Sequence, residues 1–304
     1  MFSKEKYGRI LVPMVTPFKE NQEVDYDAAV SIADRLVETK MADSLVLSGT
    51  AGEFFTMTAE ERIELFTVLK KKMGSKIPML AGVGAASTIE TVRLAKAAQD
   101  LGFDLLMVVS PYYTKPNQQQ LYEHYRAVAA SVKIPMLVYN IPIFTGVNVE
   151  PETVARLAKI DNIVGIKEEA ELNPKQITAF LNATPEDFII YNGDDTMILE
   201  CYAQGAERIG GVISGQSHLV GDRIKKMIDA FQACRVAEAA AMQRSFFGLF
   251  RIMGQNNRVN PCALIKKAME LIGYRSGLPR LPLTPASPEE TEKIKAIMQE
   301  MKIL

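Results

Sequence analysis

The stretch "NIVGIKEEA", residues 162–170, decides the reading of this chain. Ile163, Val164 and Ile166 have the composition of a buried β-strand, and Lys167 stands at its far end, ahead of Glu168 and Glu169. An ammonium group is costly to bury without a partner or a task. Residues two apart on a strand share a face. Lys167 therefore lies with Ile163, Gly165 and, if the strand continues, Glu169, while Val164 and Ile166 face covering helices. Two roles fit such a lysine. Desolvation can lower its pKa and free its lone pair to attack a ketone carbonyl. Alternatively it snorkels to solvent or pairs with Glu168 or Glu169.

Seven further apolar runs surround this one: "RILVPMVTPF" (9–18), "DSLVLSG" (43–49), "IPMLAGV" (77–83), "FDLLMVVSP" (103–111), "IPMLVYN" (134–140), "FIIYNGD" (188–194) and "ERIGGVISG" (207–215). They are rich in Val, Ile and Leu rather than cleanly alternating, the mark of parallel strands covered on both faces. Helices fill the gaps. Thr58 with Glu61 and Ser87 with Glu90 fit capping boxes, and Pro151 opens "PETVARLAKI" at a first helical turn. Eight strand–helix alternations predict a (β/α)8 TIM barrel; an open doubly wound sheet is the alternative this pattern leaves. After residue 220 the pattern is helical only, over 221–253, 261–273 and 288–303. We expect a barrel over 1–220 carrying the site and a helical region over 221–304 packed on it.

The 304 residues, 48% hydrophobic, suffice for one such barrel. A formal net charge of −1 gives no basic field for nucleic acid. "MFSKEKYGRILVPMVTPF" reads as neither signal peptide nor membrane span, so no membrane partner and a cytoplasmic location are expected. Cys201, Cys234 and Cys262 are scattered without a CxxC pair, which fits a reducing compartment and no zinc site. His124 and His218 have no metal-ligand spacing, so no metal is expected.

Chemistry in such barrels sits at the C-terminal strand ends. Tyr139 ends the fifth run, where a phenol can carry protons; a packed core tyrosine is the plainer role. "SGTAGEF" (48–54) combines small residues with the Thr50 hydroxyl, a fit for a carboxylate or an ordinary tight turn. "SPYYTKP" (110–116) holds two tyrosines facing different ways. "AGVGAAS" (81–87) has only part of a dinucleotide fingerprint. "GGVISGQS" (210–217) suits phosphate, or a close approach of its glycines to Lys167. In "YNGDD" (191–195), Asp194 and Asp195 can hold sugar hydroxyls or serve turn chemistry. "KKK" (70–72) reads as a solvated helix end.

"GTAGE", "SPYY", "LVYN", "GIKE" and "NGDD" fall in this order at successive strand ends, followed by "RVNPCALIKKAMELIG" and "LPRLPLTP" (278–285). Together they resemble the dihydrodipicolinate synthase / N-acetylneuraminate lyase family of Schiff-base class I aldolases, over nearly the whole chain. The resemblance implies an imine between Lys167 and pyruvate or another 2-oxo acid. It implies acid/base work by Tyr139, and a proton relay through Thr50 and a Tyr113 reaching across a subunit interface. The backbone at Thr50–Ala51 would hold the pyruvate carboxylate, with Ile213 and Ser214 lining the substrate. No cofactor is implied, and a homotetramer built as a dimer of dimers is.

Three departures bear on the substrate. Ala51 replaces the second Thr of a "GTTGE" loop. Phe144, in "YNIPIFTG", occupies the place of the Arg that binds the aldehyde's carboxylate in the lysine-pathway synthases, and an apolar ring cannot make that bidentate contact. Glu169 stands where small residues or Thr are usual; it can meet substrate hydroxyls, help remove a proton, or simply pair with Lys167. Ala59, Arg62 and Ala86 replace the His, His and Asn of feedback-inhibited members. We expect a lyase or aldolase acting on a 2-keto-3-deoxy sugar acid or related 2-oxo acid, with Phe144, Glu169 and Asp195 at the substrate. The alternatives are 4-hydroxy-tetrahydrodipicolinate synthase, a ketodeoxy-acid dehydratase, and a non-catalytic 2-oxo-acid-binding protein.

Overall fold

A computed structural model describes residues 3–170 and 174–304. All eight predicted runs contain strands: β1 Ile10–Pro13, β2 Ser44–Leu47, β3 Met79–Gly82, β4 Leu105–Val109, β5 Met136–Asn140, β6 Ile163–Glu168, β7 Ile189–Asn192 and β8 Ile209–Ile213. They are parallel neighbours in sequence order and form a closed barrel. Helices interleave with them, so the open-sheet alternative falls. The strands are shorter than the apolar runs that contain them. After Pro13 the chain keeps its apolar residues buried, Met14, Val15 and Phe18 among them, but leaves the ladder for a loop.

The helix signals act as their chemistry predicts. Thr58 and Glu61 form a reciprocal capping box on the helix Ala59–Met73. Ser87 caps Thr88–Asp100 from one side only: it accepts from the Glu90 amide, while the Glu90 carboxylate pairs with Arg93 at 3.5 Å. Pro151 opens the helix Pro151–Leu157. Lys71 and Lys72 are exposed in the last turn of Ala59–Met73, where cations complement the helix dipole.

The chain divides into two compact units. One comprises the residues up to Arg9 with Pro78–Ile213 and carries β3 to β8. The other comprises Ile10–Ile77 with Ser214–Leu304 and carries β1, β2 and the C-terminal helices Ser217–Gln232, Val236–Ile252, Cys262–Leu271 and Pro288–Glu300. The predicted segment 221–253 is thus two helices. They are separated at residues 233–235, where Cys234 takes a left-handed φ of 61° that ends the first. Among the described residues no helix is long and apolar enough to cross a membrane.

Candidate active site

In the first unit, β5 and β6 pair with Tyr139 beside Lys167 and Asn140 beside Glu168. Paired residues on parallel strands point to the same face. One face of the strand ends therefore gathers Tyr139 and Lys167, and the other Asn140 and Glu168. Glu169 extends the ladder by one residue, its amide donating to the Asn140 carbonyl at 2.9 Å. That returns its side chain to the face of Lys167. The Lys167 ammonium lies 2.7 Å from Glu169 Oε2, and the Tyr139 hydroxyl donates to the same oxygen at 2.8 Å. The ammonium also sits 4.1 Å from the centroid of the Tyr139 ring, a cation–π contact. Lys167 is buried, whereas the Glu169 side chain keeps 28% of its exposure. The expected salt bridge and the expected orientation of Glu169 are one arrangement.

Gly193 makes room for it. A Cβ there would stand 2.7 Å from Lys167 Cε and 2.8 Å from Glu169 Oε2, so a side chain at this position would force the pair to shift. The glycines of "GGVISGQS" do not play this part: Gly210 lies against Ile189 and Tyr191, and Gly211 against the backbone of Arg9. Nor does Gly84 of "AGVGAAS" form a phosphate loop. It lets the chain close on Val109, whose Cγ1 would be 2.4 Å from a Cβ.

Behind the site the other face is fully occupied. The Glu168 carboxylate accepts from Asn140 Nδ2 at 2.9 Å, the Ala170 amide at 2.8 Å and Gln176 Nε2 at 3.0 Å. Burial pushes its carboxyl up to about 7 against the opposing pull of these donors. Asn148 joins the set through Asn140 Nδ2 at 2.8 Å and Gln176 Nε2 at 2.9 Å. These four side chains pin the ends of β5 and β6 and fix the geometry of Tyr139 and Lys167. The pattern of apolar runs gave no sign of Asn148 or Gln176, because their role is visible only once loop and helix meet.

The second unit holds Thr50 and Ala51 in the turn after β2, with Ala51 buried. Glu53, two residues on, takes a left-handed φ of 55° and is completely buried. Its carboxylate meets Lys266 at 2.5 Å and accepts from the Cys262 thiol at 3.2 Å and the Arg280 amide at 2.9 Å. The Cys262 thiol also reaches the Ala51 carbonyl at 3.0 Å; burial pushes its pKa well up, which keeps the donor protonated. Arg62 donates to Ser48 Oγ at 2.7 Å and lies 5.2 Å from the Phe54 ring centroid.

The remaining predicted positions divide. Ile213 is buried at the end of β8, and Ser214 Oγ accepts from the Ser217 amide at 3.1 Å, a local cap. Asp194 performs turn chemistry, accepting from the amide and hydroxyl of Thr196 at 2.8 and 2.7 Å. Asp195 opens the 3₁₀ turn Asp195–Met197 and is half-buried. Phe144 lies in the short helix Pro142–Thr145 after β5 and is 37% exposed. Tyr113 is 91% exposed and held at a φ of 72°. Among the described residues no group of three or more His, Cys, Asp or Glu is arranged to hold a metal ion.

A closed (β/α)8 barrel with a buried lysine at a strand end, beside a phenol ring, is an arrangement that fits a Schiff-base aldolase. The model of the dihydrodipicolinate synthetase family matches residues 6–301, and the chain belongs to that family. It is 42% identical over 298 residues to a 4-hydroxy-tetrahydrodipicolinate synthase of Desulforudis audaxviator, covering 98% of this chain and 99% of the relative. A synthase of the same name from Moorella thermoacetica is 41% identical over 98% of this chain and all of the relative. The crystal structure of a dihydrodipicolinate synthase from Cyanidioschyzon merolae with lysine bound superposes with a TM-score of 0.92 at 37% identity, over 98% of this chain and 99% of that one. The protein is a carbon–carbon lyase of the class that works through a lysine imine with pyruvate and takes an aldehyde as second substrate.

Proposed function

We propose that the chain holds pyruvate as an imine on Lys167 and condenses it with aspartate semialdehyde, the 4-hydroxy-tetrahydrodipicolinate synthase reaction. The Lys167 amine, buried at the end of β6 against the Tyr139 ring, carries the chemical part of this reading. A protonated imine at C2 of pyruvate is an electron sink. A proton leaves C3, the resulting enamine attacks the aldehyde carbon, and the amino group of the bound semialdehyde then attacks C2 and displaces the lysine amine, which closes the ring. Tyr139 is the acid/base for these transfers. Thr50, the backbone at Thr50–Ala51, Tyr113, Ile213 and Ser214 keep the roles that the family likeness implies. The choice of aldehyde rests on the near-full-length relatives, which favour the synthase over the sugar-acid lyase expected from sequence.

Two side chains favour that sugar-acid reading as the second. Phe144 offers an apolar ring where a carboxylate-bearing aldehyde needs a cation, and Glu169 adds negative charge beside the imine carbon. A substrate with hydroxyls and an uncharged end suits this pair better. Asp195 would then meet hydroxyls. We also propose a cytoplasmic homotetramer with residues 221–304 serving the barrel. The exposed Tyr113, kept in a backbone region that costs a non-glycine residue about 1–3 kcal/mol, suits a contact with a second subunit.

A coupled assay with pyruvate and aspartate semialdehyde tests the leading reading, with pyruvate release from a panel of 2-keto-3-deoxy acids as its counterpart. Ready formation of the cyclic product upholds the synthase. Release from a deoxy acid, with no product from the semialdehyde, replaces it with the second reading.

A further inference from the structure

The contacts of Lys167 point to more than the imine. We propose that Glu169 is the base that takes the Lys167 proton at the imine-forming step and returns it to the departing water; this rests on the reading that Lys167 carries the imine.

An ammonium cannot attack a carbonyl; it must first lose a proton to a group within reach. Glu169 Oε2, 2.7 Å from the Lys167 nitrogen, is the one base at hydrogen-bond distance from it among the described residues. Tyr139 is not placed for this task. The lysine nitrogen lies over the ring, 4.1 Å from its centroid, and the phenol hydroxyl is already donating to the same carboxylate oxygen at 2.8 Å. Glu168 is not placed for it either, since both of its oxygens are engaged by Asn140, the Ala170 amide and Gln176 on the opposite face. Glu169 also keeps part of its exposure, so its carboxylate stands open to solvent beside the buried amine.

The step balances. One ammonium N–H bond breaks and its proton moves to Glu169. The freed lone pair forms the N–C2 bond to pyruvate as the carbonyl π pair moves to oxygen. A second proton passes from nitrogen to that oxygen and gives a neutral carbinolamine. The C2–OH bond then breaks, the hydroxyl leaving as water with the proton held by Glu169, and the nitrogen lone pair closes the protonated imine. Three ammonium protons become one on the imine and two in water, and Glu169 ends as the carboxylate it began as. Tyr139, hydrogen-bonded to the same oxygen, is the next group along this path and serves the carbon–carbon step.

The base role and a merely structural ion pair predict opposite signs. A carboxylate that only holds the ammonium slows nucleophilic attack, so its removal leaves imine formation unchanged or faster. A carboxylate that accepts the proton is missed when it is gone. The test follows the time course of borohydride labelling of Lys167 in the presence of pyruvate. With Glu169→Gln we expect the labelling rate to fall about 10²-fold or more while the endpoint stays complete, because the amine remains. With Glu169→Ala, added formate should restore much of the rate. Labelling of Glu169→Gln at or above the wild-type rate overturns the proposal, and so does a failure of formate to accelerate Glu169→Ala. Absence of any label on wild-type Lys167 removes the imine reading itself, and the role of Glu169 with it.

Discussion

Two buried lysines in this protein each lie over an aromatic ring and face a glutamate, and the two glutamates differ in exposure and in partners. Lys266 and Glu53, 2.5 Å apart, are both almost wholly excluded from solvent. The glutamate is further engaged by Cys262 and the Arg280 amide, and the ammonium donates to the Leu278 carbonyl at 3.1 Å and lies 4.4 Å from the Phe18 ring centroid. Lys167 and Glu169, 2.7 Å apart, combine a buried amine with a half-open carboxylate. The same ion pair is thus used in two ways. In the first pair each charge has several partners and neither meets solvent. In the second pair one carboxylate oxygen serves both an amine and a phenol and keeps contact with solvent, the arrangement on which the proposed imine chemistry rests.

The largest effect should come from the reactive pair. Lys167→Ala should abolish turnover and borohydride labelling with pyruvate, yet lower stability in urea unfolding by less than loss of the wholly buried lysine does, since the carboxylate left behind is partly solvated. Retained labelling on another lysine would move the imine elsewhere. Tyr139→Phe should lower turnover about 10²–10⁴-fold while labelling persists; a rate near wild type would reduce Tyr139 to packing.

The saturated pair should behave in reverse. Lys266→Met strands the Glu53 carboxylate in a dry site and should cost about 3–5 kcal/mol in denaturant unfolding. A loss comparable to that of Lys167→Ala would erase the contrast between the pairs.

His218 extends the contrast to pH. It lies in the second unit, accepts from the Val15 amide through Nε2 at 3.2 Å, and places Nδ1 2.7 Å from the Gly215 carbonyl. This arrangement calls for the neutral ring with the proton on Nδ1. Burial lowers its pKa to about 4, against an ordinary 6.5. The unfolded chain takes up the proton first, so stability is full above about 6.5 and declines as the pH falls toward 4. The decline should amount to on the order of 3 kcal/mol, and His218→Asn should remove that part of the pH dependence. An unchanged acid limb in the variant would assign the loss to other groups, buried His124 among them.

The smallest expected effect concerns the substrate. Phe144→Arg, with or without Glu169→Ala, should raise activity toward aspartate semialdehyde relative to 2-keto-3-deoxy acids by about ten- to a hundredfold, equivalent to about 1–3 kcal/mol. The two changes should be non-additive if both side chains meet the same group. No change in preference would place Phe144 outside substrate recognition.

Much of this was legible in the chain. Eight apolar runs separated by capped helices specify a barrel because parallel strands covered on both faces must be apolar throughout, and the capping chemistry of Thr58 and Pro151 is local. Lys167 was legible for the same reason: period-two alternation places it on a strand face without reference to any other segment. The sequence also left Glu169 three roles, meeting substrate hydroxyls, helping to remove a proton or pairing with Lys167, and could not place its side chain. That required the β5–β6 register, which sets Tyr139 beside Lys167, and the Gly193 backbone, which leaves space for both. The pair of Glu53 and Lys266 joins a turn after the second strand to a C-terminal helix, and the Glu168 set joins two strand ends, a loop and a helix. Such contacts follow from where distant elements cross, and periodicity within one element carries no record of its neighbours. Sequence alone thus determined the barrel and the lysine at the end of its sixth strand. Tertiary structure alone decided which carboxylate meets that lysine, because hydrogen bonds act only within about 3 Å and only the closed register brings these atoms so near.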